Sequence, residues 1–214
     1  MKQTTRLVLI FTLLCAVLPV LQGCFGAALV GTTVGVLAVA DRRSIGVQAD
    51  DTAIELKVSG RLGKEISDVS HINVTSYNRR VLLTGEVPNE TVRMRVAEEV
   101  ARIENVQSVW NELVVAGNSS FASRSNDSYI SSKVKARFID ANEFSAHHVK
   151  VVTEAGVVFL LGIVSKREAD AAVQVARTTA GVRKVARFTL LVESDEEIRR
   201  IDASLTNAAS SNKK

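Results

Sequence analysis

The chain repeats its own pattern at an interval of about 76 residues, and this internal repeat limits the possible folds more than any other feature. The first copy covers residues 50–115 and the second residues 126–193. Each copy begins with apolar residues spaced i, i+4 and i+8, which predicts a helix with one buried face: Ile54, Val58 and Leu62, then Ile130, Val134 and Phe138. The helix N-caps are expected at acidic or amide residues, namely Asp50 or Asp51 and Asn126 or Asp127.

The remainder of each copy predicts two strands, a second helix and a closing strand. A short alternating segment, a polar turn and a continuous apolar run predict two adjacent strands. An amphipathic segment and a further apolar segment then predict the second helix and the third strand. Each apolar run contains one glycine at a matching mid-strand position, Gly85 or Gly162. Glycine inside a strand usually marks a bulge or a close approach of two backbones.

The predicted fold class is α+β, with two tandem domains. Each domain is a helix-strand-strand-helix-strand unit in which a three-stranded mixed sheet packs on two helices. A unit of about 65 residues buries only a small core, so contact between the two copies is expected. Residues 116–125 are interpreted as a linker because Gly, Asn and Ser are concentrated there. Polar residues 194–214 are interpreted as a disordered tail.

The N-terminus has the pattern of an export signal. Lys2 and Arg6 precede an apolar run at residues 7–18, which is shorter than the roughly 20 residues of a membrane-spanning helix. The run ends at Leu21-Gln22-Gly23-Cys24, which resembles the lipobox of bacterial lipoproteins. Residues 1–23 are therefore predicted to be a lipoprotein signal peptide, with Cys24 as the lipidated residue. The alternative is a plain secreted protein with an incidental cysteine.

Cysteine usage agrees with lipidation at Cys24. The only other cysteine, Cys15, lies inside the predicted signal, so the mature chain would keep a single thiol without a disulfide partner. Residues 24–49 are interpreted as the lipidated N-terminus and a tether. Its uncharged part, residues 25–40, would cover only about 24 Å as a helix, less than a ~30 Å hydrocarbon core, which disfavours a second membrane span.

Charge and motifs argue against several classes of function. Removing Lys2 and Arg6 from a formal net charge of +4 leaves +2, which argues against nucleic-acid binding. The sequence contains no nucleophile elbow, phosphate-binding loop or dinucleotide-binding glycine motif. We therefore expect no enzymatic activity, no catalytic residue and no cofactor. His147 and His148 do not predict a metal site, since neighbours near a strand start point to opposite faces and no cysteine or carboxylate cluster completes a ligand shell.

The first helix of the second copy carries a second stripe, on the side away from its core residues. With about 100° per residue, Tyr129, Ser132, Ala136 and Ile139 share this stripe, and the cations Lys133, Lys135 and Arg137 lie beside it. Exposed apolar groups between lysines are typical of a helix that lies in a membrane interface. The first copy has no aromatic residue there; its residues are Ala53, Leu56, Gly60 and Gly63. The alternative is that Tyr129 and Ile139 pack against the first copy or the linker.

In each copy, a Val-x-Leu-x-Gly-x-Val segment is followed by a helix and then by Asn-Val-x-x-Val in the first copy or Gly-Val-x-x-Val in the second. In the order of these motifs, each copy resembles the BON domain family. Two such copies behind a lipobox resemble its dual-domain outer-membrane lipoproteins. The resemblance implies a non-catalytic protein on the periplasmic face of the outer membrane. It also implies that the helix around Tyr129 binds anionic phospholipid and that the protein supports envelope integrity, with the division site as one candidate place of action. The alternative function is an adaptor that docks an outer-membrane assembly protein through the same face.

Cys24→Ala should leave an uncleaved or soluble exported protein, because no other cysteine of the mature chain can accept lipid. Membrane fractionation and labelling with palmitate measure the effect. Continued membrane partitioning together with palmitate incorporation in this variant would show that Cys24 is not the lipidated residue.

Overall fold

A computed structural model describes residues 41–211, except for the side chains of residues 187–193 and 206–211. The predicted signal peptide, Cys24 and residues 25–40 lie outside the described residues. None of the helices in the described part of the chain combines the length and the apolar character of a membrane span.

The two copies contain the predicted elements in the predicted order, with additions. The first copy consists of α1 (Ile45–Arg61), α2 (Gly63–Ser67), β1 (His71–Tyr77), β2 (Arg80–Val87), α3 (Glu90–Ala101), β3 (Ser108–Asn111) and β4 (Val114–Val115). The second copy consists of α4 (Phe121–Ala141), a 3₁₀ turn (Ala146–His148), β5 (Val149–Glu154), β6 (Val157–Ser165), α5 (Lys166–Arg177) and β7 (Lys184–Glu193). A last helix, α6 (Asp195–Ser211), follows.

Each copy forms a mixed sheet, which confirms the predicted fold class. In the first copy β2 pairs antiparallel with β1 and parallel with β3, and β4 extends the parallel pairing. In the second copy β6 pairs antiparallel with β5 and parallel with β7. Gly85 lies opposite Ile72 and Gly162 opposite Val149, so the two glycines occupy matching positions. Gly85 has φ +113°, and a Cβ there would lie 2.0 Å from the carbonyl oxygen of His71, so only glycine fits.

The first helix of each copy covers its sheet with the residues that the repeat predicts. Ile54 and Val58 of α1 pack with β2 residues such as Val81 and Leu83. In the second copy, α4 packs through its own apolar positions, namely Ile130, Val134 and Phe138. Alternation along β2 sends Leu82 to the opposite face of the sheet. There it joins a third apolar cluster with Tyr77 from the same copy, Phe159, Leu161 and Ile163 from the second copy, and Ile198 from α6.

The two first helices begin earlier than predicted. Ser44 caps α1, accepting a hydrogen bond from the backbone N–H of Val47 at 3.2 Å, and Ser120 caps α4 in the same way through Ser123. Both serines precede the expected acidic N-caps by about two turns of helix. The assignments of residues 45–49 to a tether and of 121–125 to a linker are therefore wrong, because a serine N-cap starts a helix as effectively as an aspartate.

The acidic residues expected as N-caps have a different role. Asp51 accepts hydrogen bonds from the backbone N–H groups of Asn78 and Arg79 at 2.8 and 2.7 Å. Asp127 does the same in the second copy, where it accepts hydrogen bonds from the backbone N–H groups of Ala155 and Gly156 in the turn after β5. All four turn residues have positive φ, as a tight primed hairpin turn requires. A buried carboxylate of the first helix thus fixes the hairpin turn in each copy.

The prediction of a disordered tail is wrong for residues 195–211, which form α6. Three acidic residues, Asp195, Glu196 and Glu197, occupy the first turn, where negative charge is favourable. Ile198 is buried in the cluster between the copies and Ile201 packs against it. The polar composition of this segment predicted disorder because the apolar face of the helix is narrow. The three-residue spacing of the two isoleucines is nevertheless helical.

A buried arginine just before α1 connects the second copy to α6. Arg42 donates hydrogen bonds to the carboxylates of Glu168 at 2.7 Å and Asp202 at 2.8 Å, and to the carbonyl oxygen of Ile163 at 3.0 Å. Its neighbour Arg43 turns toward the first copy, where it pairs with Asp51 and lies over the ring of Tyr77. The Arg42–Arg43 pair therefore holds both copies at the point where the chain enters the folded body.

The same contacts control the ionisation of Glu168. Burial alone would raise the pKa of Glu168, but contacts of its carboxylate with His148, Arg42 and the Ser165 backbone hold that pKa well below its usual range. The ion pair therefore contributes its full stability above the ordinary glutamate pKa of about 4.3. That contribution is lost only as the pH falls below this value toward the lowered pKa.

Arg42→Met should lower the free energy of unfolding at pH 7 by about 3 kcal/mol, because it leaves the Glu168 carboxylate buried without its cation. Urea-induced unfolding of residues 41–214 measures the change. The control is Arg102→Met, which removes only exposed ion pairs with Glu98 and Glu99 and should change stability by less than about 1 kcal/mol. Equal effects of the two substitutions would contradict a structural role for Arg42.

Candidate functional site

The outer face of α4 is the candidate site. Its inner face carries Ile130, Val134 and Phe138 against the sheet, so the side chains half a turn away point to solvent. Three large apolar side chains remain exposed there: Phe121 (79%), Tyr129 (63%) and Ile139 (68%). With about 100° per residue they lie within an arc of about 80°. The three residues are called the α4 apolar stripe below.

Most of the residues predicted for this site share one surface. Ser132 and Ala136 are exposed between Tyr129 and Ile139 along the α4 apolar stripe. The Ser132 hydroxyl donates to the carbonyl oxygen of Ser128 one turn earlier, at 3.0 Å, so the helix itself satisfies this polar group. The surface between the large apolar residues is thus formed by small side chains.

The three predicted cations differ in their contacts. Lys135 is exposed beside the α4 apolar stripe. The Lys133 ammonium lies 4.6 Å from the centre of the Tyr129 ring and donates to the carbonyl oxygen of Ala180. Arg137 donates to the carbonyl oxygen of Val175 at 3.1 Å and to the hydroxyl of Thr179 at 2.9 Å. Arg137 is therefore held at the junction with α5, and the charge next to the stripe comes from the two lysines.

Phe121 is a member of the stripe that the sequence analysis missed, because it was assigned to the linker. The available signal was the pair Ser119-Ser120 just before it, since serine is a strong N-cap residue. With Phe121 included, the α4 apolar stripe extends from Phe121 to Ile139, which is 18 residue steps or about 27 Å at 1.5 Å per residue.

The equivalent face of the first copy differs in shape and chemistry. The helix α1 exposes Ile45 (73%) and Leu56 (70%) but places Ala53 at the position of Tyr129. It ends at Arg61, and Gly63, the counterpart of Ile139, has φ +61° and begins the separate helix α2. A left-handed glycine interrupts the helix at that point. The first copy therefore lacks a long continuous stripe with an aromatic residue.

The histidines lie in three different environments. His147 is exposed, and His148 lies 3.9 Å from Glu168 beside Arg42. His71 lies 3.1 Å from Glu86 on the neighbouring strand. The sequence analysis did not anticipate this last pair, since residues that are 15 positions apart meet only through the register of β1 with β2.

Comparison with known proteins identifies the repeated unit. The sequence profile of the BON domain matches residues 50–117 and 126–190. The chain belongs to the BON domain family. The outer membrane lipoprotein DolP of Haemophilus influenzae is 40% identical over 167 residues, which cover 77% of this chain and 86% of DolP. The 21 kDa hemolysin of Actinobacillus pleuropneumoniae is 37% identical over 155 residues, which cover 72% of this chain and 80% of the hemolysin.

These matches confirm the prediction of two BON domains in a DolP-like arrangement, and the similarity supports an envelope role at the outer membrane. Among solved structures, CdsD, a structural protein of the type III secretion system of Chlamydia trachomatis, is similar with a TM-score of 0.28 and 15% identity. That likeness covers 68% of this chain and 97% of the CdsD chain. At this TM-score it adds nothing to the assignment of the fold.

Proposed function

We propose that the protein is a non-catalytic lipoprotein on the periplasmic face of the outer membrane, whose helix α4 binds anionic phospholipid. Through this contact it supports the integrity of the outer membrane, including at the division site. The observation that carries the proposal is the α4 apolar stripe, in which Phe121, Tyr129 and Ile139 are exposed on one face beside Lys133 and Lys135.

The chemistry of the stripe suits the interface of a bilayer. Burying apolar surface contributes about 25 cal/mol per Å², and a tyrosine ring can enter the acyl boundary while its hydroxyl stays hydrated. Each lysine near an anionic surface contributes about 1 kcal/mol. These contributions to membrane binding are modest, but the acyl chains on Cys24 would already hold the protein at the membrane.

The place where the chain enters the folded body, at Arg42, is also compatible with a contact between α4 and the membrane. Asp41 lies 17 positions after Cys24, a length of chain that reaches at most about 60 Å. The next residue, Arg42, is bound to Glu168 of α5, and α5 packs against α4. A lipid on Cys24 would therefore be tethered to a point that contacts both copies, including the one that carries the α4 apolar stripe.

A second candidate function is an adaptor that docks an outer-membrane assembly protein through the same face. The contacts of the cations favour this candidate, because Arg137 and Lys133 keep their charge but already donate to carbonyl oxygens of their own chain, which leaves fewer of their N–H groups to bind lipid phosphates directly. An apolar helix face also fits a groove on a partner protein. The two candidates differ in whether vesicles without protein are bound.

Tyr129→Glu should abolish binding of residues 41–214 to anionic vesicles, because it places a negative charge at the centre of the α4 apolar stripe. Co-sedimentation with liposomes measures this, and binding by the unchanged protein should weaken as salt is added. Because Tyr129 is exposed, the free energy of unfolding should change by no more than about 0.5 kcal/mol.

The matched control is Leu56→Glu, which changes a side chain of similar exposure on α1. It should leave vesicle binding unchanged. If Tyr129→Glu still binds vesicles at low salt, the adaptor becomes the better proposal. If it instead lowers the melting temperature by many degrees, Tyr129 is a packing residue and the α4 apolar stripe is not a free surface.

A further inference from the structure

His71, Glu86 and Glu154 meet where the two copies adjoin. His71 and Glu86 are directly opposite each other on β1 and β2, and Glu154 ends β5 of the second copy. One ligand atom from each of the three residues lies within 4.8 Å of the other two. These residues are called the junction cluster below. Both glutamates are only 8% exposed.

The two carboxylates of the junction cluster are held mainly by neutral donors, although Lys184 lines the cavity that Glu86 and Glu154 share. Glu154 accepts a hydrogen bond from the Asn73 side chain at 2.7 Å. Glu86 accepts one from the backbone N–H of Ser119 and lies beside His71, both at 3.1 Å. Among the side chains that the structure describes, no lysine or arginine forms an ion pair with either carboxylate. Two buried carboxylates close together favour the binding of a cation between them, because their charges repel each other and burial removes hydration.

The backbone fixes His71 and Glu86 relative to each other, and Glu154 borders two cavities. Gly85 allows β1 to approach β2 so closely that a Cβ would lie 2.0 Å from the His71 carbonyl oxygen, which holds His71 and Glu86 in register. Glu154 lines two cavities, one of about 270 Å³ shared with Glu86 and one of about 430 Å³ shared with His71. An ion can therefore enter from either side of the junction.

We propose that the junction cluster binds a divalent transition-metal ion, with Zn²⁺ as the best fit, and that this ion joins the two BON domains. An imidazole nitrogen and two carboxylate oxygens are ordinary Zn²⁺ ligands at about 2.0–2.2 Å. The imidazole disfavours Mg²⁺ and Ca²⁺, which prefer oxygen ligands. Ligands of a tetrahedral ion stand about 3.4 Å apart at these bond lengths. Side-chain rotations that move each ligand atom by about 1 Å therefore bring the three atoms onto one ion. Water or the Ser119 hydroxyl, 3.4 Å from His71, completes the shell.

This site is independent of the proposed membrane contact, since none of its residues belongs to the α4 apolar stripe. Its predicted consequence is a metal-dependent stabilisation of the contact between the copies, because an ion that binds only the folded state raises the melting temperature. Zn²⁺ should bind with one ion per chain, and Mg²⁺ should produce no comparable shift.

The test uses the full chain purified in detergent, freed of metal with a chelator and then dialysed against Zn²⁺. Elemental analysis gives the stoichiometry, and thermal unfolding with and without Zn²⁺ gives the shift. Glu154→Gln keeps the size of the side chain and should lower Zn²⁺ affinity at least tenfold. The matched control is His147→Asn, which removes an exposed histidine outside the junction cluster and should bind Zn²⁺ like the unchanged chain.

Two results would overturn the proposal. One is an unchanged chain that binds no Zn²⁺, a result that does not depend on whether any variant folds. The other is a Glu154→Gln chain, folded by circular dichroism, that binds Zn²⁺ as tightly as the unchanged protein. Loss of binding in His147→Asn instead would assign the ion to the exposed histidines and would equally reject the junction cluster.

Discussion

The attachment of the chain's entry point and of α6 to the second BON domain depends on one buried guanidinium. Arg42 binds Glu168, Asp202 and the backbone of Ile163, so one side chain connects the start of the folded body, the second copy and the last helix. An arginine suits this role because its planar group donates several hydrogen bonds and stays charged when buried. If Arg42 is removed, Glu168 remains in the interior without its cation. The position of α6 and the entry point of the chain are both tied to this contact.

Within each copy, a second charged contact explains why the two units fold alike. Asp51 and Asp127 each reach from the first helix to the backbone N–H groups of the turn between the first two strands. The turn residues have positive φ, which disfavours non-glycine residues such as Asn78 and Ala155 unless the turn is held from outside. The carboxylate supplies that support and couples the helix to the hairpin. The repeat in the sequence therefore preserves a tertiary contact as well as an apolar pattern.

The copies differ where no folding constraint acts on them. The outer faces of α1 and α4 do not contribute to the cores, yet α4 carries Tyr129 and Ile139 where α1 carries Ala53 and the helix-breaking Gly63. The copies also meet through side chains that differ in kind at matching positions. Glu86 of the first copy, for example, corresponds to Ile163 of the second. The two copies thus share one frame and differ on their outer faces and at their junction.

The sequence by itself determined the domain order, the mixed sheets, the positions of Gly85 and Gly162, and the part of the outward stripe of α4 from Tyr129 to Ile139, because these follow from the internal repeat and from local periodicity. Tertiary structure alone decided the rest. The roles of Arg42 and Asp51 and the meeting of His71 with Glu154 depend on strand register and on how the copies pack, which join residues far apart in the chain. Helix α6 also needed the packed body, since the buried Ile198 and the half-buried Ile201 pack on the cluster between the copies.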